Sequence, residues 1–241
     1  MLKKIVKHCI LLYLFLVIAS SISEPTLQLV EIDNVVREKI IKNTDVCKIL
    51  VPESSSAICC YDISVDGKIA IGFTSHKINI YDASGDYLYT FTFKYTDASK
   101  YYVEWCKNDL RIYLTRGAIA LQVSSVGDYV KVNKYATNAD SSRYFKMKFG
   151  SKNRSINGFQ YIMENPNSLS IFPSSTYTKF TIISPDGHAI VIYDIVNEYN
   201  LERTFLFCLQ MTLILSVGVW LFHIWNKSLR KPLLEWLHSR R

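Results

Sequence analysis

Residues 58–93 read ICCYDISVDGKIAIGFTSHKINIYDASGDYLYTFTF. Four apolar runs (58–65, 69–73, 78–81 and 87–93) are divided by Asp66-Gly67, by Thr74-Ser75-His76-Lys77 and by Ser84-Gly85-Asp86. Each run alternates in polarity or is rich in β-branched and aromatic residues, and each break holds residues that form tight turns. The pattern predicts a four-stranded antiparallel meander.

Working outward, a shift of 42 positions brings the stretch onto a second copy without gaps, with Gly85-Asp86-Tyr87 on Gly127-Asp128-Tyr129 and Asp66-Gly67 on Asn108-Asp109. Strands are then expected at 102–106, 110–115, 119–123 and 129–135. A looser third copy reads 145–149, 159–163, 169–172 and 178–183, with turns at 165–167 and 173–175. Ser184-Pro185-Asp186-Gly187 echoes Ser64-Val65-Asp66-Gly67 and leads into 189–196; on the alternative register it opens a fourth copy with 180–183 as its first strand, a strand that cannot belong to both copies. A repeat of this length built from four strands falls in the range of propeller blades.

At this point residues 57–196 resemble the β-propeller repeat families of the WD40, NHL and six-bladed types. The resemblance is carried by Ser64-x-Asp66-Gly67, by Lys77-Ile78-x-Ile80-Tyr81-Asp82 and by Gly85-x-Tyr87-Leu88. The Trp-Asp dipeptide and the Gly-His pair of WD40 repeats do not occur. The fold class is all-β: a propeller-like array of about three to four four-stranded antiparallel meanders in an exported domain, 24–203. Propellers usually carry four to eight blades. Residues 26–51 are therefore expected to supply strands that complete the blade begun near Ser184; otherwise a partner chain must cover the open edge.

The ends of the chain define its setting. The formal net charge is +7. The surplus comes from Lys3, Lys4 and Lys7 and from a tail holding Lys227, Arg230, Lys231, Arg240 and Arg241 against Glu235, so residues 8–225 balance. Charge placed beside apolar runs reports membrane orientation, and nucleic acid is not an expected partner. Residues 1–23 read as a signal peptide or a signal anchor, with small residues suited to cleavage near Ala19-Ser20-Ser21 or Ser21-Ile22-Ser23. Residues 205–225 carry no Asp, Glu, Lys or Arg, which predicts a transmembrane helix over 204–225. The basic tail, 226–241, is then cytoplasmic, and the main domain is extracytoplasmic in a single-pass plasma-membrane protein.

Within the span, Cys208, Thr212 and Ser216 recur every four residues on one face, a candidate helix-pairing surface. Cys59 and Cys106 fall in first strands of successive copies and form a candidate disulfide; buried free thiols are the alternative. Tyr81, Tyr87, Tyr129 and Tyr177 lie near turns as candidate contact aromatics, with packing between strands as the alternative. His76 and His188 sit in turns without the partners of a catalytic triad. No phosphate loop, zinc spacing or calcium loop is present, so no catalytic residue, metal or cofactor is expected. The expectation is a non-enzymatic binding or scaffold module touching the lipid bilayer and a protein partner or a second copy. The alternative is a membrane-assembly subunit whose incomplete array a partner completes, and after it an exported hydrolase.

Overall fold

The computed structural model describes residues 25–95, 100–166 and 176–226; the expected signal segment, the basic tail beyond 226, and the expected strand 169–172 and turn 173–175 lie outside them. The described chain opens with β1 (Leu29–Glu31), α1 (Asn34–Thr44) and β2 (Cys47–Ile49). The decisive stretch then forms β3 (Ile58–Ile63), β4 (Ile69–Phe73), β5 (Lys77–Tyr81) and β6 (Tyr87–Thr92), and the second copy forms β7 (Tyr101–Cys106), β8 (Asp109–Leu114), β9 (Ile119–Val123) and β10 (Tyr129–Tyr135). After α2 (Ala139–Phe149) come β11 (Asn153–Ile156), β12 (Phe159–Glu164), β13 (Lys179–Ile183), β14 (Ala189–Asp194) and the long α3 (Val196–Trp225). Hydrogen bonding orders these into sheet I (β2-β6-β5-β4-β3), sheet II (β1-β10-β9-β8-β7) and sheet III (β11-β12-β13-β14). Every pairing is antiparallel.

One turn recurs in all three sheets. The N–H groups of Ser64, Asp82, Ser124 and Ser184 donate to the carbonyls of Lys68, Asp86, Asp128 and His188, and the glycine three residues on closes a second bond to the first carbonyl. Those glycines, at 67, 85, 127 and 187, all have φ between 85 and 102°. A side chain is strained there, which is why Gly recurs at that place in each copy.

Sheet I is the middle layer. Ile69, Ile71 and Phe73 join Tyr161, Phe180 and Ile182 of sheet III in one core. Ala70, Ile78 and Ile80 join Val103, Ile112 and Leu121 of sheet II in another. Burial on both faces explains why 69–73 is apolar throughout, without the alternation of a half-exposed strand. The approach to sheet II is close: a Cβ on Gly72 would lie 2.6 Å from Cys60 Sγ and 2.8 Å from the Tyr101 hydroxyl. The outer face of sheet II is covered by α2, whose Tyr144, Phe145 and Phe149 pack on Tyr113 and Tyr135.

Three expectations are corrected. Residues 145–149 are the end of α2, not a strand. Asn138 and Ser141 form a reciprocal capping box that starts a helix, and the 145/149 pair then shares one face at a spacing of four. Residues 180–183 and 189–194 are the third and fourth strands of sheet III, so the described residues hold no fourth sheet. Residues 26–51 do not complete a blade with 184–196, because β1 pairs with β10 and β2 with β6. They clasp the outer edges of sheets II and I instead. Tyr129 Oη hydrogen-bonds Thr44 Oγ1 at 2.8 Å and accepts the Val46 N–H at 2.9 Å, which fixes the end of α1. The sheets therefore stack in a row and do not close into a ring among the described residues.

The 52–56 loop is pinned by its own acid. Glu53 is 5% exposed. Its Oε1 accepts from the N–H groups of Ser54 and Ser55 (3.1 and 3.0 Å), and its Oε2 from Ser75 Oγ (2.9 Å) and Lys77 Nζ (3.1 Å). Burial opposes ionisation, but the bonds from Ser55, Lys77 and Ser75 outweigh it and hold the carboxyl near 2 against an ordinary 4.5. A folded value below the unfolded one adds stability above about pH 4.5 that is lost as pH falls toward 2. Glu53→Gln should therefore cost about 1.5–3 kcal/mol at neutral pH. It should also flatten the acid limb of the stability curve, as followed by chemical denaturation across that pH range.

α3 runs for 30 residues, about 45 Å at 1.5 Å per residue. It is the one helix among the described residues long and apolar enough to cross a membrane. It begins at Val196, before the expected start at 204, and continues from sheet III without a linker: Val196 N–H donates to Asp194 Oδ1 at 3.0 Å, and Tyr199 packs into the core between sheets I and III.

Candidate functional site: a pocket at the turn-bearing end

The first strands of the three sheets meet at the centre. Asp62 on β3 takes the Trp105 N–H of β7 on Oδ2 and Arg154 Nη1 of β11 on Oδ1, both at 2.7 Å. These contacts bring the ends of β3 and β7 against β11, a four-residue strand whose own turn follows directly at Asn157-Gly158. Antiparallel alternation then places the β3–β4, β5–β6, β7–β8, β11–β12 and β13–β14 turns at that same end of the stack, while the β9–β10 turn leans onto β2 and β6, where Lys48 Nζ donates to the Ser125 carbonyl at 2.9 Å. β14 begins there and finishes at the far end, where α3 departs. The pocket-bearing end and the apolar helix therefore lie at opposite ends of the domain.

A cavity of about 460 Å³ opens at the centre of that end. Trp105, Met147 and Ile156 give it apolar walls, and Lys107, Lys148 and Arg154 bring positive charge. Arg154 is fixed on two sides: Nη1 holds Asp62, and Nη2 donates to the Lys148 carbonyl at 2.7 Å. Its guanidinium also lies over the Tyr61 ring, 4.6 Å from the centroid, a favourable cation–π geometry. Behind Lys148 stands Glu104, which accepts Lys148 Nζ at 2.7 Å, Tyr144 Oη at 3.0 Å and a hydrogen bond from Tyr113 Oη, with Arg111 Nη1 at 3.6 Å.

The two carboxylates behave differently. Burial pushes the Asp62 carboxyl above its ordinary value and outweighs the Trp105 N–H and Arg154. Burial also opposes the charge of Glu104, but the bonds from Lys148, Tyr113 and Tyr144 prevail and its carboxyl stays below the ordinary value. Burial raises the Tyr113 and Tyr144 hydroxyls, with the Glu104 charge adding to it. Both tyrosines therefore remain hydrogen-bond donors across the physiological range.

The residues singled out by sequence lie elsewhere. Cys59 and Cys106 are both free thiols. Asp62 meets Trp105 in the register of β3 against β7, so Cys59 lies beside the start of β7 while Cys106 is at its end, a separation of about four residues or 13 Å. That exceeds disulfide reach. Cys59 Sγ instead lies 3.4 Å from the Gly72 carbonyl. Tyr81 is 5% exposed, and its hydroxyl accepts from Asn79 Nδ2 at 3.0 Å. Tyr129 is spent on α1. Tyr87 Oη bonds Thr90 Oγ1 at 2.9 Å, and Tyr177 makes a two-bond bridge with Ile58 far from the pocket. Cys208, Thr212 and Ser216 are exposed on α3, and the Thr212 and Ser216 hydroxyls donate to the carbonyls of Cys208 and Thr212. His76 lies tilted against Phe93 and Tyr101 and lines no part of the pocket.

Sequence reading missed Asp62, Glu104, Lys148 and Arg154. One signal was available: the same shift of 42 that aligns the first two copies places Asp62 on Glu104, each a carboxylate inside an apolar first strand. A charge at that place in two copies marks a buried, partnered group. No cluster of three or more His, Cys, Asp or Glu side chains suited to a metal occurs among the described residues.

No protein-family model matches the chain, and no curated protein matches it. Among solved structures it is similar to a streptogramin B lyase, with 17% identity and a TM-score of 0.28 over 65% of this chain and 46% of that one. It is similar at 13% identity and TM-score 0.28, over 64% of this chain and 46% of theirs, to virginiamycin B lyase from Staphylococcus aureus, as a catalytically inactive form with quinupristin and as a selenomethionine form. The chain thus spans a little under half the length of these structures. The architecture rests on the strand pairing described above.

Proposed function

We propose that this is a single-pass membrane protein that presents a propeller-like β domain outside the cytoplasm as a binding module, with the central pocket as its recognition site. The observation that carries the reading is polarity: the pocket and five strand turns occupy one end of the domain, and the apolar helix leaves from the other. Such an arrangement holds loops on a rigid scaffold away from a bilayer. Orientation follows from the lysines and arginines after residue 226, which favour the cytoplasmic side. The propeller reading is supported by meanders stacked face to face with their first strands at the centre. The role is binding without catalysis, because Asp62 and Glu104 are each tied to fixed partners.

Cys47 is an exposed thiol on the domain. A membrane-impermeant maleimide added to sealed cells should label it before lysis, with Cys47→Ser as the control for the other thiols. Labelling that requires lysis overturns the topology.

A second reading, a subunit completed by a partner chain, is favoured by one observation. Sheets I and II each gain a fifth outer strand, whereas among the described residues β14 pairs with β13 and ends sheet III. Obligate association in mild detergent would select that reading, and a monomer would select the self-contained module.

A further inference from the structure

We infer that the central pocket binds a small organic carboxylate, an inference that rests on the binding reading above and names its ligand class. The charges around the pocket do not cancel. Lys107, Lys148 and Arg154 line it against one lining carboxylate, Asp62, and Glu104 stands behind Lys148, paired with Lys148 and Arg111. Both carboxylates are already occupied by protein donors, so the surplus is cationic and directed at the cavity. The donors have capacity left. The bond to Glu104 uses one of the three N–H groups of Lys148, whose side chain is 38% exposed. Lys107 sits at the β7–β8 turn, makes no ion pair with the described residues, and lines the pocket.

The walls set the rest of the chemistry. Trp105, Met147 and Ile156 offer an aromatic face, a thioether and a branched chain. A cavity of about 460 Å³ is of small-ligand size. An apolar body against Trp105 with its carboxylate toward Lys107 and Lys148 uses both halves of the site. A bare inorganic anion leaves the walls unused, and a cation meets the lysines.

The test uses the full chain in mild detergent, with benzoate as probe and the difference in fluorescence between the chain and its Trp105→Phe variant as readout. Saturable perturbation is expected with benzoate, and none with benzamide or benzamidine at the same concentrations. Lys107→Gln, at an exposed turn, and Lys148→Gln should each weaken benzoate by about tenfold or more, the effect of one lost charge-assisted bond. Lys107→Gln keeps the test valid if Lys148→Gln perturbs folding by stranding Glu104. No saturable response, an equal response to benzamide or benzamidine, or unchanged affinity in Lys107→Gln overturns the assignment. External Cys47 labelling without benzoate binding would reject this ligand class and leave the topology standing. Benzoate binding with Cys47 protected would do the reverse.

Discussion

Arg154→Leu is expected to destabilise the domain by about 3–5 kcal/mol, the cost of breaking a buried ion pair from one side. Arg154 bridges sheet III, through its bond to Asp62, to sheet I, and it also ties down the end of α2 through the Lys148 carbonyl. Without it the Asp62 carboxylate keeps the Trp105 N–H and loses its counter-charge. Burial already lifts the Asp62 carboxyl, and removing the guanidinium lifts it further. A folded value above the unfolded one favours the fold at low pH and penalises it as pH rises through the folded value. The deficit of the Arg154→Leu chain should therefore shrink on acidification, opposite to the acid loss tied to Glu53. The double variant Asp62→Asn/Arg154→Leu keeps an acceptor for Trp105 and removes the stranded charge. It should recover a substantial part of the loss. Urea denaturation of the detergent-solubilised chain, read from β-sheet circular dichroism, gives all three values. A single-variant cost below about 1 kcal/mol, the range of exposed pairs, would sink the claim that this pair is buried and structural.

The second large effect is expected at Phe180→Ala. Phe180 is fully buried between sheets I and III and meets Tyr61 edge-on at 5.0 Å between centroids. Truncating it leaves a cavity where neither sheet can collapse, at a cost of about 3–5 kcal/mol. The loss should not be uniform. Sheets I and II share a core and are clasped at their outer edges by β1, α1 and β2, whereas sheet III is held by one face, by Arg154 and by the Ile58–Tyr177 bridge. Amide hydrogen exchange in Phe180→Ala should therefore accelerate across 153–166 and 176–194 while 58–95 and 100–135 stay protected. Equal acceleration in both regions would show one cooperative unit instead.

How much of this was legible follows from the range of each interaction. The meander 58–93 was readable because its apolar runs and its glycine turns are local, and the second copy because it preserves their spacing. α2 was misread because Phe145, Met147 and Phe149 alternate as a strand would, while 145 and 149 also fit a helix. The Asn138–Ser141 box breaks the tie. The position of residues 26–51 was misread because an edge strand of three residues carries little pattern and takes whichever open edge is near. The site was least legible. Asp62 and Arg154 are 92 positions apart, and nothing local ties them. Their pairing exists once three sheets have stacked.

The direct passage from β14 into α3 carries a mechanical consequence. Asp194 accepts the Val196 N–H at the start of α3 and Tyr199 anchors the first turn in the core, so the domain and helix turn together like a sign on a mast. In the proposed setting, a hydrophobic stretch longer than the local bilayer is thick tilts to fit. That tilt passes undamped to the domain and changes the attitude of the pocket toward the membrane plane. Lipid thickness thereby becomes a determinant of where the pocket looks, with no hinge in between to absorb it.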